Sequence, residues 1–170
     1  MISDIRVGLG HDIHAFEKGR ELWLGGVKID YEMGLKGHSD ADALIHAIMD
    51  AMLGALALGD IGQHFPDTDP KYKGISSIKL LKHVVELTSS KGYKVGNLDC
   101  MIHCERPKLS PHKAKMAKNI SEVLGINEDR ISIILLPKRT SLLQISALRL
   151  GHLLTRADLG PPCWSHFSCE

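Results

Sequence analysis

Residues 10–16, Gly-His-Asp-Ile-His-Ala-Phe, lie in an alternating, β-rich segment that predicts a strand over residues 5–15. Side chains two residues apart on a strand point to the same face, so Asp12 and His14 can reach one point. His46, further along the chain, lies inside an apolar helical segment and is a candidate third ligand. Two imidazoles and one carboxylate, with a fourth position open, form the ligand set of a catalytic zinc site.

A helix is predicted over about residues 40–58, and it is apolar on nearly every side. Asp42, His46 and Asp50 interrupt it at every fourth position and therefore share one stripe. Polar side chains on a buried helix need partners. We therefore expect Asp42 or Asp50 to orient the His46 ring as a hydrogen-bond acceptor.

The other periodicities predict one α+β or α/β sandwich without an internal repeat or linker. Further strands are expected over residues 22–29, broken at Gly25-Gly26, and over 94–104 and 130–136. Helices are expected over 75–91 and 112–124, and residues 138–156 have some helical periodicity. For the 40–58 helix, the predicted caps are Ser39 or Asp40 at the N-terminus and Gly59 at the C-terminus.

The composition argues against several classes of protein. With 21 basic and 20 acidic residues the net charge is +1, which gives no reason to expect nucleic-acid or anionic-membrane binding. No apolar run has the length of a membrane span, and the N-terminus lacks the pattern of a signal peptide. We expect a cytoplasmic protein, or one in a plastid-type organelle if a transit peptide was removed.

Three further segments have both an ordinary and a functional interpretation. Residues 38–40, His-Ser-Asp, either cap a helix or place a phosphate at its N-terminus, and capping does not explain His38. The Asp-rich loop over residues 60–69 either makes turns or accepts sugar hydroxyls or a hydrated cation. Lys108, in a short proline-flanked turn, is either solvated or neutralises a phosphate.

These segments resemble the 2-C-methyl-D-erythritol 2,4-cyclodiphosphate synthase family. The resemblance extends from about residue 5 to residue 133, and the two histidine segments and the Asp-rich loop are its specific parts. The matching stretches are 10–16, 25–27, 38–47, 58–70, 96–99 and 107–112.

The resemblance implies an α+β fold, with a sheet packed against helices on one face, and a homotrimer with active sites between subunits. It implies zinc, or another divalent transition metal, on Asp12, His14 and His46, and Mg²⁺ or Mn²⁺ as a second divalent ion on the diphosphate. Substrate contacts are implied for Asp12, His14, His38, Ser39, Asp60, Ile61, Gly62, Phe65, Asp67 and Asp69, with His38 also stabilising the transition state. Nucleotide contacts to a neighbouring subunit are implied for Pro107, Lys108 and Ser110.

The family reaction cyclises 4-diphosphocytidyl-2-C-methyl-D-erythritol 2-phosphate in non-mevalonate isoprenoid biosynthesis. The 2-phosphate oxygen attacks the β-phosphorus and CMP leaves. Two anionic phosphates must approach each other, so positive charge is needed to offset their repulsion, and zinc can supply it. The expected partners are this small cytidine diphosphate substrate and further copies of the chain. A zinc hydrolase also fits the three ligands, but no general base beyond the Asp stripe lies beside them.

The sequence departs from the family after the last predicted strand. Family members have a Thr-Thr-Thr-Glu type segment there, whereas residues 133–140 are Ile-Ile-Leu-Leu-Pro-Lys-Arg-Thr. Because codons for Ile-Leu-Leu-Pro-Lys can encode Thr-Thr-Thr-Glu in a shifted frame, we hypothesise an out-of-frame segment from about residue 134. We therefore expect a synthase-like domain over 1–136 and an atypical segment over 137–170, out of frame or disordered, that lacks the closing strand or helix. The alternative function is an inactive or impaired relative that binds metal or cytidine nucleotide without turnover.

Overall fold

A long first strand and a buried helix packed directly on it form the centre of the molecule. The computed structural model describes residues 5–137 and 142–149. The strands are β1 (Gly8–Lys18), β2 (Leu22–Leu24), β3 (Val27–Ile29), β4 (Met33–Leu35), β5 (Leu98–His103), β6 (Ile131–Leu136) and β7 (Leu142–Arg149). The helices are α1 (Ala43–Ala55), α2 (Ile61–His64), α3 (Ser77–Ser90) and α4 (Lys113–Leu124). Short 3₁₀ turns lie at Pro70–Tyr72, Ser110–His112 and Glu128–Arg130.

Five strands form the main sheet in the order β4-β1-β7-β5-β6. Strands β5 and β6 are parallel, and the other pairs are antiparallel. Along β5 the buried residues alternate, with Leu98, Cys100 and Ile102 facing the core. Alternation of this kind is typical of a sheet covered on one face. The predicted α+β fold, with helices on one face of the sheet, is confirmed.

Helix α1 lies on β1 at two glycines. A Cβ atom on Gly8 would lie 1.9 Å from the carbonyl oxygen of Ala51, and one on Gly10 would lie 1.9 Å from that of Ala47. Only a residue without a side chain permits this approach. The contact places His46 of α1 beside Asp12 of β1.

The ends of α1 differ from the prediction. Its N-cap is Asp42, whose carboxylate accepts a hydrogen bond of 3.1 Å from the N–H of Ile45, and not Ser39 or Asp40. Its C-cap is Leu56 rather than Gly59. The predicted N-cap is wrong because residues 37–40 form bends and the Asp40 carboxylate accepts instead from the N–H of Ser77. The predicted C-cap is wrong because the N–H groups of residues 56–58 already turn back onto the carbonyl oxygens of Leu53 and Gly54.

The segment predicted as one bulged strand over residues 22–29 is a hairpin of β2 and β3. Gly25 and Gly26 form its turn with φ values of 58° and 68°, a conformation that favours glycine. The buried Asp42 carboxylate accepts hydrogen bonds from both glycine N–H groups, at 2.9 and 2.6 Å. Asp42 therefore joins the hairpin to the start of α1 and does not orient His46.

The segment after β6 was predicted incorrectly for residues 142–149. These residues form β7, which lies between β1 and β5 in the sheet, so the expected helical periodicity and the missing closing strand are wrong there. The segment forms a strand because every second side chain is apolar and buried: Leu143, Ile145 and Ala147 lie on the helix-covered face of the sheet. Residues 138–141 and 150–170, on which the other predictions for this segment fall, lie outside the described residues.

Within residues 5–137 and 142–149, no helix has the length and apolar character needed to cross a membrane.

Candidate active site

Asp12 and His14 on β1 meet at one point, as their spacing predicts, and the candidate third ligand His46 on α1 joins them there. Oδ2 of Asp12 lies 2.8 Å from Nε2 of His14 and 3.2 Å from Nδ1 of His46. The three candidate ligand atoms all lie within 4.8 Å of one another. The set of one carboxylate and two imidazoles matches the ligands of a zinc ion with an open position.

The hydrogen bonds around His14 determine which nitrogen of its neutral ring faces Asp12 with a lone pair. Nδ1 of His14 lies 2.6 Å from the carbonyl oxygen of Lys36, which can only accept, so Nδ1 is the donor. In a neutral imidazole Nε2 then has the lone pair, and this lone pair faces the Asp12 carboxylate. Two acceptors at 2.8 Å repel each other unless a proton or a metal ion lies between them.

The pKa values of Asp12 and His14 shift in opposite directions. Burial raises the pKa of Asp12, but hydrogen bonds and charge interactions with His14 and His46 outweigh it and hold the pKa well below 3.8. Burial lowers the pKa of His14, but the hydrogen bond and charge of Asp12 raise it overall above 6.5. The carboxylate is therefore stabilised in its charged form and favours positive charge at this point.

The three residues open into a cavity of about 340 Å³ between β1, α1, α2 and α3. Its lining residues are Asp12, His14, Gly37, His38, Ser39, His46, Met49, Ile61, Gly62, Phe65, Pro66, Asp67, Tyr72 and Leu80. Nine of these were predicted as site residues: Asp12, His14, His38, Ser39, His46, Ile61, Gly62, Phe65 and Asp67. The cavity thus brings the first histidine segment, the second histidine segment and part of the Asp-rich loop together.

A clamped loop carries His38 into the cavity wall. The Arg20 guanidinium donates hydrogen bonds to the carbonyl oxygens of Gly37, at 2.6 Å, and Ser39, at 2.9 Å. The carbonyl oxygen of His38 accepts a bond of 3.0 Å from the N–H of Gly74. The Nε2 atom of His38 is buried and has no hydrogen-bond partner among the described residues, so it lacks the partner that a buried polar atom normally has.

The carboxylates of the Asp-rich loop have different surroundings. Asp60 caps α2 by accepting from the N–H of Gln63 at 3.0 Å, and Asp69 caps the turn that follows by accepting from the N–H of Lys71 at 3.1 Å. Neither lines the cavity, so the turn-making interpretation describes both in this structure. Asp67 does line the cavity.

Asp50 does not orient the His46 ring as predicted. Its carboxylate accepts a hydrogen bond of 2.9 Å from the N–H of Ile61 and so anchors the start of α2. Nε2 of His46 instead lies 2.9 Å from Oγ of Ser77 and 3.2 Å from Oγ of Ser39. The prediction is wrong because Asp50 and His46 lie on the same face of α1 but one turn apart, so each contacts a different neighbouring segment.

The residues predicted to contact the nucleotide lie elsewhere. Pro107, Lys108 and Ser110 follow β5 and precede α4, and none of them lines the cavity. Lys108 and Ser110 are exposed, and within one chain none of the three residues completes the site.

Sequence reasoning missed several lining residues. Met49, Tyr72 and Leu80 look like ordinary core positions, because apolar spacing does not distinguish a cavity wall from a packed interior. Ser77 does not line the cavity but contacts His46, and it too has no signal of its own, since a serine at the start of a helix is usually a cap.

Comparison with known proteins gives consistent matches along the chain. Residues 5–140 match the sequence model of the YgbB family. A 2-C-methyl-D-erythritol 2,4-cyclodiphosphate synthase of Clostridium perfringens is 57% identical over 129 residues, which cover 76% of this chain and 83% of that protein. A solved structure of a 2C-methyl-D-erythritol-2,4-cyclodiphosphate synthase is 38% identical, with a TM-score of 0.81, and covers 87% of this chain and 99% of its own. A second, described as a bound form with CDP, is 37% identical with a TM-score of 0.80 over the same shares of the two chains.

Proposed function

This chain belongs to the YgbB family, and from that premise we propose that it cyclises 4-diphosphocytidyl-2-C-methyl-D-erythritol 2-phosphate. An oxygen of the 2-phosphate attacks the β-phosphorus, the bond from that phosphorus to the bridging oxygen breaks, and CMP leaves with the bridging oxygen. The product is 2-C-methyl-D-erythritol 2,4-cyclodiphosphate. The observation that supports this most directly is the convergence of Asp12, His14 and His46 at the wall of a cavity large enough for a small phosphorylated ligand.

Asp12, His14 and His46 are the proposed ligands of zinc or another divalent transition metal. A bound divalent ion supplies positive charge that polarises a phosphoryl oxygen. The opposed pKa shifts of Asp12 and His14 support this role, because both arise from charge complementarity at one point. A second divalent ion, Mg²⁺ or Mn²⁺, is proposed on the diphosphate of the substrate.

His38 is the proposed group that stabilises the transition state. Its buried Nε2 atom lacks a partner, and the Arg20 clamp fixes the loop that carries it. An N–H donor held in place before the reaction costs no reorganisation when phosphate charge develops beside it. Ser39, Ile61, Gly62, Phe65 and Asp67 are proposed to contact the substrate from the same cavity.

We propose a homotrimer in which Pro107, Lys108 and Ser110 contact the nucleotide bound at a neighbouring subunit. The face of the sheet opposite the helices supports association, because it exposes Leu9, Ile13 and Ile134, at 67%, 45% and 39%. An exposed apolar face of this kind is a typical contact surface. Ile13→Glu is expected to shift the molar mass measured by light scattering from trimer to monomer.

The test of the proposed activity is CMP release from the substrate with zinc and magnesium present, with the product identified by ³¹P NMR. Cyclic diphosphate and CMP in equal amounts are expected. His38→Ala is expected to lower kcat by about 10²–10³-fold, the effect of losing one donor to a developing oxyanion. Hydrolysis to a linear product would instead indicate a zinc hydrolase.

The departure at residues 133–140 favours one alternative: an impaired relative that binds metal or cytidine nucleotide without turnover. Residues 133–140 contain no Thr-Thr-x-Glu, the pattern that family members have in this segment. Nucleotide binding without CMP release would support this alternative. The domain boundary at residue 136, the shifted reading frame and the cytoplasmic location stay predictions.

A further inference from the structure

A buried hydrogen-bond chain extends from His46 away from the cavity. Nε2 of His46 lies 2.9 Å from Oγ of Ser77, the first residue of α3, and this hydroxyl in turn donates to Oδ1 of Asp40. Ser77 is 0% exposed and His46 is 9% exposed, so water does not compete for these bonds. These hydrogen bonds connect His46, a proposed metal ligand, to the carboxylate of Asp40, which is not a proposed ligand.

The protons in this chain can be assigned from the chemistry of its members. A carboxylate has only acceptor atoms, and Asp40 accepts both from the Ser77 hydroxyl and, at 2.9 Å, from the Ser77 N–H. The Ser77 hydroxyl thus donates its only proton to Asp40. Its oxygen can then only accept from His46, so Nε2 of His46 carries the hydrogen.

This assignment determines which nitrogen of His46 is available to an ion. With the hydrogen on Nε2, the lone pair of the neutral ring lies on Nδ1, and Nδ1 is the atom 3.2 Å from Oδ2 of Asp12. The His14 ring has the equivalent arrangement with the nitrogens exchanged, since its Nδ1 donates to the Lys36 carbonyl and its Nε2 faces Asp12.

We propose that Ser77, supported by Asp40, is a positioning residue that holds His46 in the tautomer and orientation needed to bind the metal through Nδ1. This inference rests on the proposed metal site at Asp12, His14 and His46. An outer partner of a ligating imidazole fixes its tautomer and typically accounts for 10–100-fold of metal affinity. The proposed role of Ser77 makes the first residue of α3 part of the metal site, although no sequence motif marks this residue.

The Ser39 hydroxyl is the nearest competitor for the same role. It lies 3.2 Å from Nε2 of His46, farther than Ser77, and it already accepts from the N–H of Ala41 at 3.1 Å. Its bond to His46 is therefore weaker, and it can compensate only in part when the Ser77 hydroxyl is removed.

The test compares Ser77→Ala with Ser76→Ala in metal-stripped, full-length protein, with the zinc dissociation constant measured by chelator competition. Ser76 is the matched control, because it is the preceding serine and its side chain makes no capping hydrogen bond. Ser77→Ala is expected to weaken zinc binding about 10–100-fold, and Ser76→Ala to leave it within about threefold. Equal dissociation constants for Ser77→Ala and wild type would overturn the inference and leave the proposed function intact. Absence of zinc binding by wild type would overturn both.

A second measurement does not depend on the folding of a variant. In ¹⁵N-histidine NMR of the zinc-loaded wild type, His46 is expected to carry its hydrogen on Nε2 and to bind the metal through Nδ1. A zinc-bound Nε2 would contradict the inference. Urea unfolding of metal-free Ser77→Ala separates a loss of metal affinity from a loss of fold.

Discussion

Gly10 of β1 lies against Ala47 of α1 so closely that a Cβ atom on Gly10 would be 1.9 Å from the Ala47 carbonyl oxygen. Asp12 follows Gly10 by two residues on the strand, and His46 precedes Ala47 by one on the helix. The contact between strand and helix therefore sets the separation of two proposed metal ligands. Gly10 therefore affects both the packing of α1 on β1 and the geometry of the proposed metal site.

Gly10→Ala is expected to destabilise the protein by about 1–3 kcal/mol, the usual cost of overpacking, and to weaken zinc binding because α1 must move away from Asp12. Urea unfolding and chelator competition measure the two effects. Gly54→Ala is the control: Gly54 lies within α1, and a Cβ atom there would meet nothing within 4 Å. It is expected to stabilise by about 0.5–1 kcal/mol through helix propensity. Equal stability of the two variants would contradict the packing argument.

Asp42→Ala is expected to lower the free energy of unfolding by about 2–3 kcal/mol. The buried carboxylate accepts from the N–H groups of Gly25, Gly26 and Ile45, and hydrogen bonds to a charged acceptor are among the stronger ones. Asp69→Ala removes a cap at a more exposed turn, where water can replace the lost hydrogen bond, and should therefore lower the stability less than Asp42→Ala does. Urea denaturation at neutral pH compares them, and a smaller loss for Asp42→Ala than for Asp69→Ala would refute the hairpin–helix connection.

His46→Ala is expected to bind substoichiometric zinc, while His38→Ala retains one zinc per chain and loses activity. The reason is geometric: His46 belongs to the group whose ligand atoms lie within 4.8 Å of one another, and His38 does not. Metal analysis of the purified proteins after dialysis measures the content. Full zinc occupancy in His46→Ala would remove it from the ligand set.

The stability of the metal-free protein is expected to depend on pH through Asp12 and His14. The pKa of Asp12 is lowered from 3.8, so its contribution is present above that value and is lost as the pH falls through the lowered pKa. The pKa of His14 is raised from 6.5, so its contribution is complete below 6.5 and is lost as the pH rises through the raised pKa.

The stability difference between metal-free wild type and metal-free Asp12→Asn should therefore be largest between the ordinary pKa values of 3.8 and 6.5 and should shrink above them. Zinc affinity should increase with pH across the upper end of this range, because the ion replaces the proton on His14. Thermal unfolding at a series of pH values measures the stability difference, and titration calorimetry at the same pH values measures the zinc affinity. A stability difference that grows steadily above pH 6.5 would show that the pair is not coupled as described.

The sequence by itself predicted a sheet packed with helices, the order of most elements, the shared face of Asp12 and His14, and His46 as a candidate to join them. Period-two and helical patterns are local, and Asp12 and His14 need only one strand to share a face. The cap of α1, the hairpin of β2 and β3 and the partners of Asp50 needed tertiary structure, because they depend on residues distant in the chain. The clearest cases are β7, inserted between β1 and β5, and Ser77, brought to His46 across 31 residues. A local pattern states what each segment can form, and only packing decides which neighbour satisfies a buried polar group or an unpaired strand edge.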